Sequence, residues 1–119
     1  MGTFTVAATL TNPVHPERCL TLDLTVDTGA TYTLLPAGVV AELGLTTPRE
    51  RTVMLGSGER VRYGVGQVAI ALDGEEWQTL FLAGPPGCPA LLGAMTLEGF
   101  GLAPDPVNKR LVPVTGLLT

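Results

Sequence analysis

At 119 residues the chain supports one domain with a modest core, residues 1–119. An apolar share of 45% against 15% charged excludes a disordered segment, and a formal charge of −4 excludes the dense Lys/Arg surface that nucleic acid requires. No apolar run reaches the ~18 residues of a membrane-spanning helix. The start, Met1-Gly2-Thr3-Phe4-Thr5-Val6, alternates like a strand and has neither the basic opening nor the apolar stretch of an export signal. Val6 also stands where a myristoylation signal needs Ser or Thr. The expectation is a cytoplasmic protein that partners neither nucleic acid nor membrane.

Gly 15 and Pro 10 imply many turns, as in an all-β protein with short strands. Phe4 to Leu10 reads as a first strand, Asn12 to Glu17 as a turn, and Cys19 to Val26 as a returning strand. Leu35 to Gly44 reads as a short helix, with Pro36 near its first turn and Gly44 past its end. Arg51 to Leu55 is a strand, Gly56-Ser57-Gly58 a tight turn, and Glu59 to Tyr63 and Gly66 to Leu72 are strands separated by a glycine kink. Asp73-Gly74 is a hairpin signal leading into Trp77 to Leu82. Gly84 to Gly87 is a loop, Ala94 to Phe100 a short helix, and Arg110 to Val114 a last strand.

Chemistry concentrates at Asp27-Thr28-Gly29-Ala30. In the preceding run, Leu20, Leu22, Leu24 and Val26 alternate with Thr21, Asp23, Thr25 and Asp27, the period of a strand with one buried face. Asp27 is the last residue of the polar face, delivered into a turn. Gly29 supplies backbone freedom there, the Thr28 hydroxyl is placed to hold a neighbouring backbone group, and small Ala30 leaves room for another chain.

The stretch from Leu24 to Leu35, with Asp27-Thr28-Gly29-Ala30 at its centre, resembles the retropepsin-like aspartic proteases, the single-lobe retroviral and bacterial family. Leu91-Leu92-Gly93 resembles the family's second signature, two apolar residues and a glycine that cross behind the catalytic loop. Ala94 to Phe100 then matches the helix that follows it, and Gly101 to Pro106 the closing strand and turn. The resemblance covers about Leu20 to Val114. It implies a closed or partly closed β-barrel with one or two short helices. The chain carries one such motif, so a complete site would need a homodimer with Asp27 from each copy as the catalytic residue. It further implies that Thr28 bonds across the two-fold axis and that Leu55, Gly56, Ser57 and Gly58 form a mobile flap over peptide substrate, with neither metal nor cofactor. Two departures from retroviral members stand out: Thr31 where those often carry an acid that steadies the dimer, and an added Pro36–Leu43 helix more like bacterial members.

Other chemistries lack their residues. Ser57 is the only serine and has no G-x-S-x-G around it, and His15 is the only histidine. His15 and Cys19 are four apart, but Pro16 breaks the helix that would align them as metal ligands. Cys19 and Cys88 read as reduced structural thiols. Gly64-Val65-Gly66 lacks the rest of a nucleotide fingerprint. Asp23 reads as solvated, Asp73 as a turn residue and Asp105 as ordering the C-terminal loop, while Met54, Met95 and Trp77 read as core or dimer-contact residues. The expected function is an aspartic endopeptidase. The alternative is a homodimeric module on the same fold that holds peptide without cutting it, although a pure binder has no use for a paired carboxylate that is costly to bury.

Overall fold

The computed structural model describes residues 3–119. In chain order the elements are β1 (Thr5–Thr11), β2 (Cys19–Val26), β3 (Thr33–Leu35), α1 (Ala37–Leu43), β4 (Arg49–Met54), β5 (Arg60–Leu72), β6 (Glu75–Ala83), β7 (Leu91–Leu92), α2 (Ala94–Phe100), β8 (Leu102–Asp105) and β9 (Arg110–Pro113). The all-β expectation with two short helices holds.

Six strands form a ring. β1 pairs antiparallel with β2, β2 parallel with β7, β7 antiparallel with β3, β3 parallel with β6, β6 antiparallel with β5, and β5 returns to β1 through Thr9↔Ala71, Leu10↔Ile70 and Thr11↔Ala69. Ring closure pairs strand edges that an open sheet would leave exposed. β4 lies outside the ring, paired only with the first half of β5. β8 and β9 make a separate two-stranded sheet.

The interior is filled by side chains of every layer: Leu10, Leu24, Leu35, Ile70, Phe81 and Leu92 are completely buried. The alternation in β2 does what its period demands, burying Leu24 and Val26 and exposing Thr21 and Asp23. Each helix is too short to be stable alone and is held by packing, Leu43 anchoring α1 and Thr96, Leu97 and Phe100 anchoring α2. Both helices end at a left-handed glycine, Gly44 at φ 64° and Gly101 at φ 67°. Pro36 is the N-cap of α1, one place before the first turn in which the sequence puts it. No helix of the described residues is long and apolar enough to cross a membrane.

The structure corrects three expectations. β5 runs unbroken through Gly64-Val65-Gly66. The glycines there serve close approach instead of a kink, since a Cβ on Gly66 would lie 2.1 Å from the Thr46 carbonyl oxygen and one on Gly64 would lie 2.7 Å from the Thr47 hydroxyl. Thr33–Leu35 is a strand, so Leu35, expected to open the helix, ends β3 instead and α1 begins at Ala37. Met54, Met95 and Trp77, read as core or dimer-contact residues, are exposed, which removes the core alternative for the single chain. Asp73-Gly74 makes the expected hairpin turn with both residues at positive φ, 55° and 82°, the left-handed pair that suits the twist of two antiparallel strands.

Candidate active site

The end of β2 is held by β7. Thr25 N–H donates to the Ala90 carbonyl at 2.9 Å, and Asp27 N–H donates to the Leu92 carbonyl at 3.1 Å. These bonds continue the parallel register Thr25↔Leu91 and Val26↔Leu92 one residue past the strand. The chain then turns, with Ala30 N–H donating to the Asp27 carbonyl at 3.2 Å and Gly29 N–H to Asp27 Oδ1 at 2.9 Å. Asp27 is half-buried at the mouth of the loop. Gly29 is not in the left-handed region; its lack of a side chain instead leaves room for the carboxylate, because a Cβ there would lie 3.2 Å from Asp27 Oδ1. The side chain that holds the backbone here is Asp27, whose carboxylate accepts from Gly29 N–H, and Thr28 is exposed.

Behind the loop, β7 is inserted between β2 and β3. The first turn of α2 is tied to the Asp27 loop by Ala94 N–H to the Ala30 carbonyl, 2.8 Å, and Met95 N–H to the Thr31 carbonyl, 3.0 Å. Gly93 N–H donates to Thr33 Oγ1 at 3.1 Å. Thr33 Oγ1 is 2.7 Å from Thr96 Oγ1, which is 2.8 Å from Thr79 Oγ1. Thr33 accepts from Gly93, and the Thr79 hydroxyl points toward the Leu80 carbonyl at 3.4 Å. Gly93 N–H and the hydroxyls of Thr33, Thr96 and Thr79 therefore form one continuous hydrogen-bonded chain. Leu91, Leu92 and Gly93 lie directly behind the Asp27 loop, with the Leu92 carbonyl bonded to Asp27 N–H.

A cleft of about 670 Å³ opens in front of Asp27. The Asp27 loop and Tyr32 form one side, and the β4–β5 hairpin forms the other through Val53, Met54, Leu55, Gly56 and Tyr63. Asp27 is the only charged side chain among the described residues lining it. The hairpin tip is closed by Leu55 N–H to the Glu59 carbonyl and Gly58 N–H to the Leu55 carbonyl, both 2.8 Å, with Gly58 at φ 90°. Of the four tip residues singled out in the sequence, Leu55 and Gly56 face the cleft and Ser57 and Gly58 do not.

Tyr32, Leu34, Val53, Tyr63 and Leu82 also line the cleft and escape the motif reading. Leu34 sits opposite Leu82 on β6 and Leu91 on β7. Those pairings span the ring, and no local pattern announces them. Val53 and Tyr63 carry a weak local signal, as apolar and aromatic positions flanking a glycine turn. No group of three His, Cys, Asp or Glu side chains among the described residues is arranged to hold a metal ion. Cys19 and Cys88 are both free, Cys19 exposed and Cys88 half-buried.

A strand-end aspartate in a glycine turn, buttressed by an inserted strand and a short helix, defines a single lobe of an acid protease. The same fold occurs in the EIAV protease, solved in complex with the inhibitor HBY-793; the two match with a TM-score of 0.65 at 19% identity, over 84% of this chain and 89% of that one. A search of curated proteins returned no match. Residues 18–95 match the aspartyl protease family model, most of the chain and both motifs up to Met95, and the protein belongs to that family.

Proposed function

We propose that the protein is an aspartic endopeptidase that works as a homodimer. The observation that carries this reading is a single carboxylate, Asp27, held by Gly29 N–H as the only charged side chain among the described residues lining an apolar-walled cleft. One carboxylate is half of the machinery for hydrolysis by an activated water, and a two-fold axis supplies the other half.

In the dimer the two Asp27 side chains face each other. Like charges that close cannot both ionise, so the pair holds one proton and titrates in two coupled steps. The ionised member takes a proton from water, which attacks the peptide carbonyl. The protonated member hydrogen-bonds the carbonyl oxygen and stabilises the negative charge that develops on it. Collapse of the tetrahedral intermediate breaks the C–N bond as the amine leaves protonated. Thr28 is exposed on the single chain, and in this reading its hydroxyl bonds across the axis. The β4–β5 hairpin acts as a flap, its glycines letting its backbone come close to an extended peptide.

The test is cleavage of a peptide library by wild type and Asp27→Asn, read by mass spectrometry from pH 4 to 7. Asn keeps an oxygen for Gly29 N–H and loses the ionisable group, so the fold is retained and the rate falls by roughly 10²–10⁴-fold. Wild-type activity is expected to peak on the acidic side of neutral and to fall on dilution as the dimer dissociates. Equal cleavage by both proteins places the activity elsewhere. No cleavage by either, with the dimer present in solution, leaves a peptide-holding module.

A further inference from the structure

A second cleft, also about 670 Å³, lies at the opposite end of β4 and shares no residue with the Asp27 cleft. Its floor is apolar, from Leu45, Val65 and Leu80, and Arg49 and Arg51 of β4 form its charged wall. Among the described residues no Asp or Glu lines it, in a chain that carries 11 of them against 7 Lys and Arg. Glu50, between the two arginines, does not line the cleft and is taken by Arg62, whose Nε and Nη2 lie 3.1 Å from its Oε1. Arg49 and Arg51 make no ion pair among the described residues. His15, also at the cleft, sits 3.7 Å from Glu17.

The walls are preformed. Asn12 is 4% exposed and its side chain makes four hydrogen bonds. Its Nδ2 donates to the Leu43 and Gly44 carbonyls at 2.9 and 3.1 Å, and its Oδ1 accepts from Val14 N–H and His15 N–H at 2.8 and 3.0 Å. One side chain thus fixes both loops that border the cleft. The close seat of Thr46 on Gly66 presses the loop after α1 directly onto β5. A cavity held open in this way needs no reorganisation to receive a ligand.

β4 is the terminal strand of its sheet. Arg49 and Arg51 are two residues apart on it, so both side chains leave the same face about 6–7 Å apart. That is the repeat of alternate side chains in an extended peptide lying in the cleft. We propose that this second cleft binds an extended acidic–apolar peptide segment. Carboxylates at alternate positions pair with Arg49 and Arg51, and the apolar side chains rest on the floor of Leu45, Val65 and Leu80. The site is separate from the Asp27 chemistry and stands whether or not that chemistry is confirmed. It touches the root of the hairpin whose tip lines the Asp27 cleft.

The test uses the Asp27→Asn protein, so that no peptide is cut. Fluorescein-labelled Leu-Glu-Leu-Glu-Leu and its Leu-Gln-Leu-Gln-Leu counterpart, with amidated ends, are titrated by fluorescence anisotropy. The acidic peptide is expected to bind more tightly than the neutral one. Arg49→Gln with Arg51→Gln should weaken the acidic peptide roughly tenfold, as expected for two partly exposed ion pairs, and leave the neutral one unchanged. Lys at both positions should restore most of the difference. Both arginines are exposed, so the fold tolerates these changes. Equal affinity for the two peptides, an unchanged affinity in the double Gln variant, or binding of dodecanoate but not of the peptide would overturn the proposal.

Discussion

Gly93 crosses Tyr32 so closely that a Cβ on Gly93 would lie 2.4 Å from the Tyr32 carbonyl carbon and oxygen. This contact lets β7 pass behind the Asp27 loop and still bond Thr33 and the end of β2. Gly93→Ala must displace backbone, and we expect a loss of about 3 kcal/mol in urea unfolding. Gly38 is the contrast. It is an exposed residue of α1 with nothing within 4 Å of its missing Cβ, and Gly38→Ala should gain about 0.5–1 kcal/mol. Equal effects at the two positions would mean that the crossing is looser than the geometry requires.

Thr96 is the middle of the buried hydroxyl chain, 2% exposed, with Thr33 and Thr79 on either side. Thr96→Val keeps the shape and leaves both neighbours short of a partner, which costs about 1–3 kcal/mol. Thr33→Val combined with Thr96→Val should cost clearly less than the sum of the single changes, because one removal already breaks the chain. Strict additivity in the double-mutant cycle would deny the chain.

Asp105 accepts from Asn108 Nδ2 at 2.8 Å and from the Val107 and Asn108 N–H groups at 3.1 and 3.3 Å, with Arg110 Nε at 3.9 Å. The Asn108 side-chain bond, then the backbone bonds and the Arg110 charge, pull its pKa below the ordinary 3.8. A carboxylate lowered in the folded state stabilises above its unfolded pKa, and that contribution is lost as pH falls through the folded value. Asp105→Ala should therefore lower Tm at pH 7, and the gap to wild type should close as the pH drops below about 4. A gap independent of pH would assign the loss to packing alone.

Burial pushes the Cys88 thiol above 9.0, only partly opposed by a backbone hydrogen bond. Cys19 is exposed on the first residue of β2. A maleimide at pH 7.5 should label Cys19 first and Cys88 several-fold more slowly, since the thiolate is the reacting species. Mass spectrometry of partly labelled protein reads the order, and faster labelling of Cys88 would contradict it.

The local patterns were legible where one residue type decides one local conformation. Leu20 to Val26 announced its strand by alternation, Asp73-Gly74 its turn by tolerance of positive φ, and Gly44 the end of α1 for the same reason. The glycines of β5 misled because a glycine needed for room looks the same in sequence as one needed for a bend. Only the carbonyl of Thr46, far away in the chain, tells them apart.

The identity of the Asp27 loop and of its Leu91-Leu92-Gly93 support was thus written in the sequence, because side-chain chemistry and short-range backbone preference are properties of the residues themselves. The rest was decided in three dimensions. The ring brings Leu34 beside Leu82 and Leu91, joins Thr33 to Thr96 and Thr79, and faces the β4–β5 hairpin toward Asp27. Those neighbours are set by strand pairing between distant segments, whose energy depends on how the whole core packs and not on any residue taken with its near neighbours.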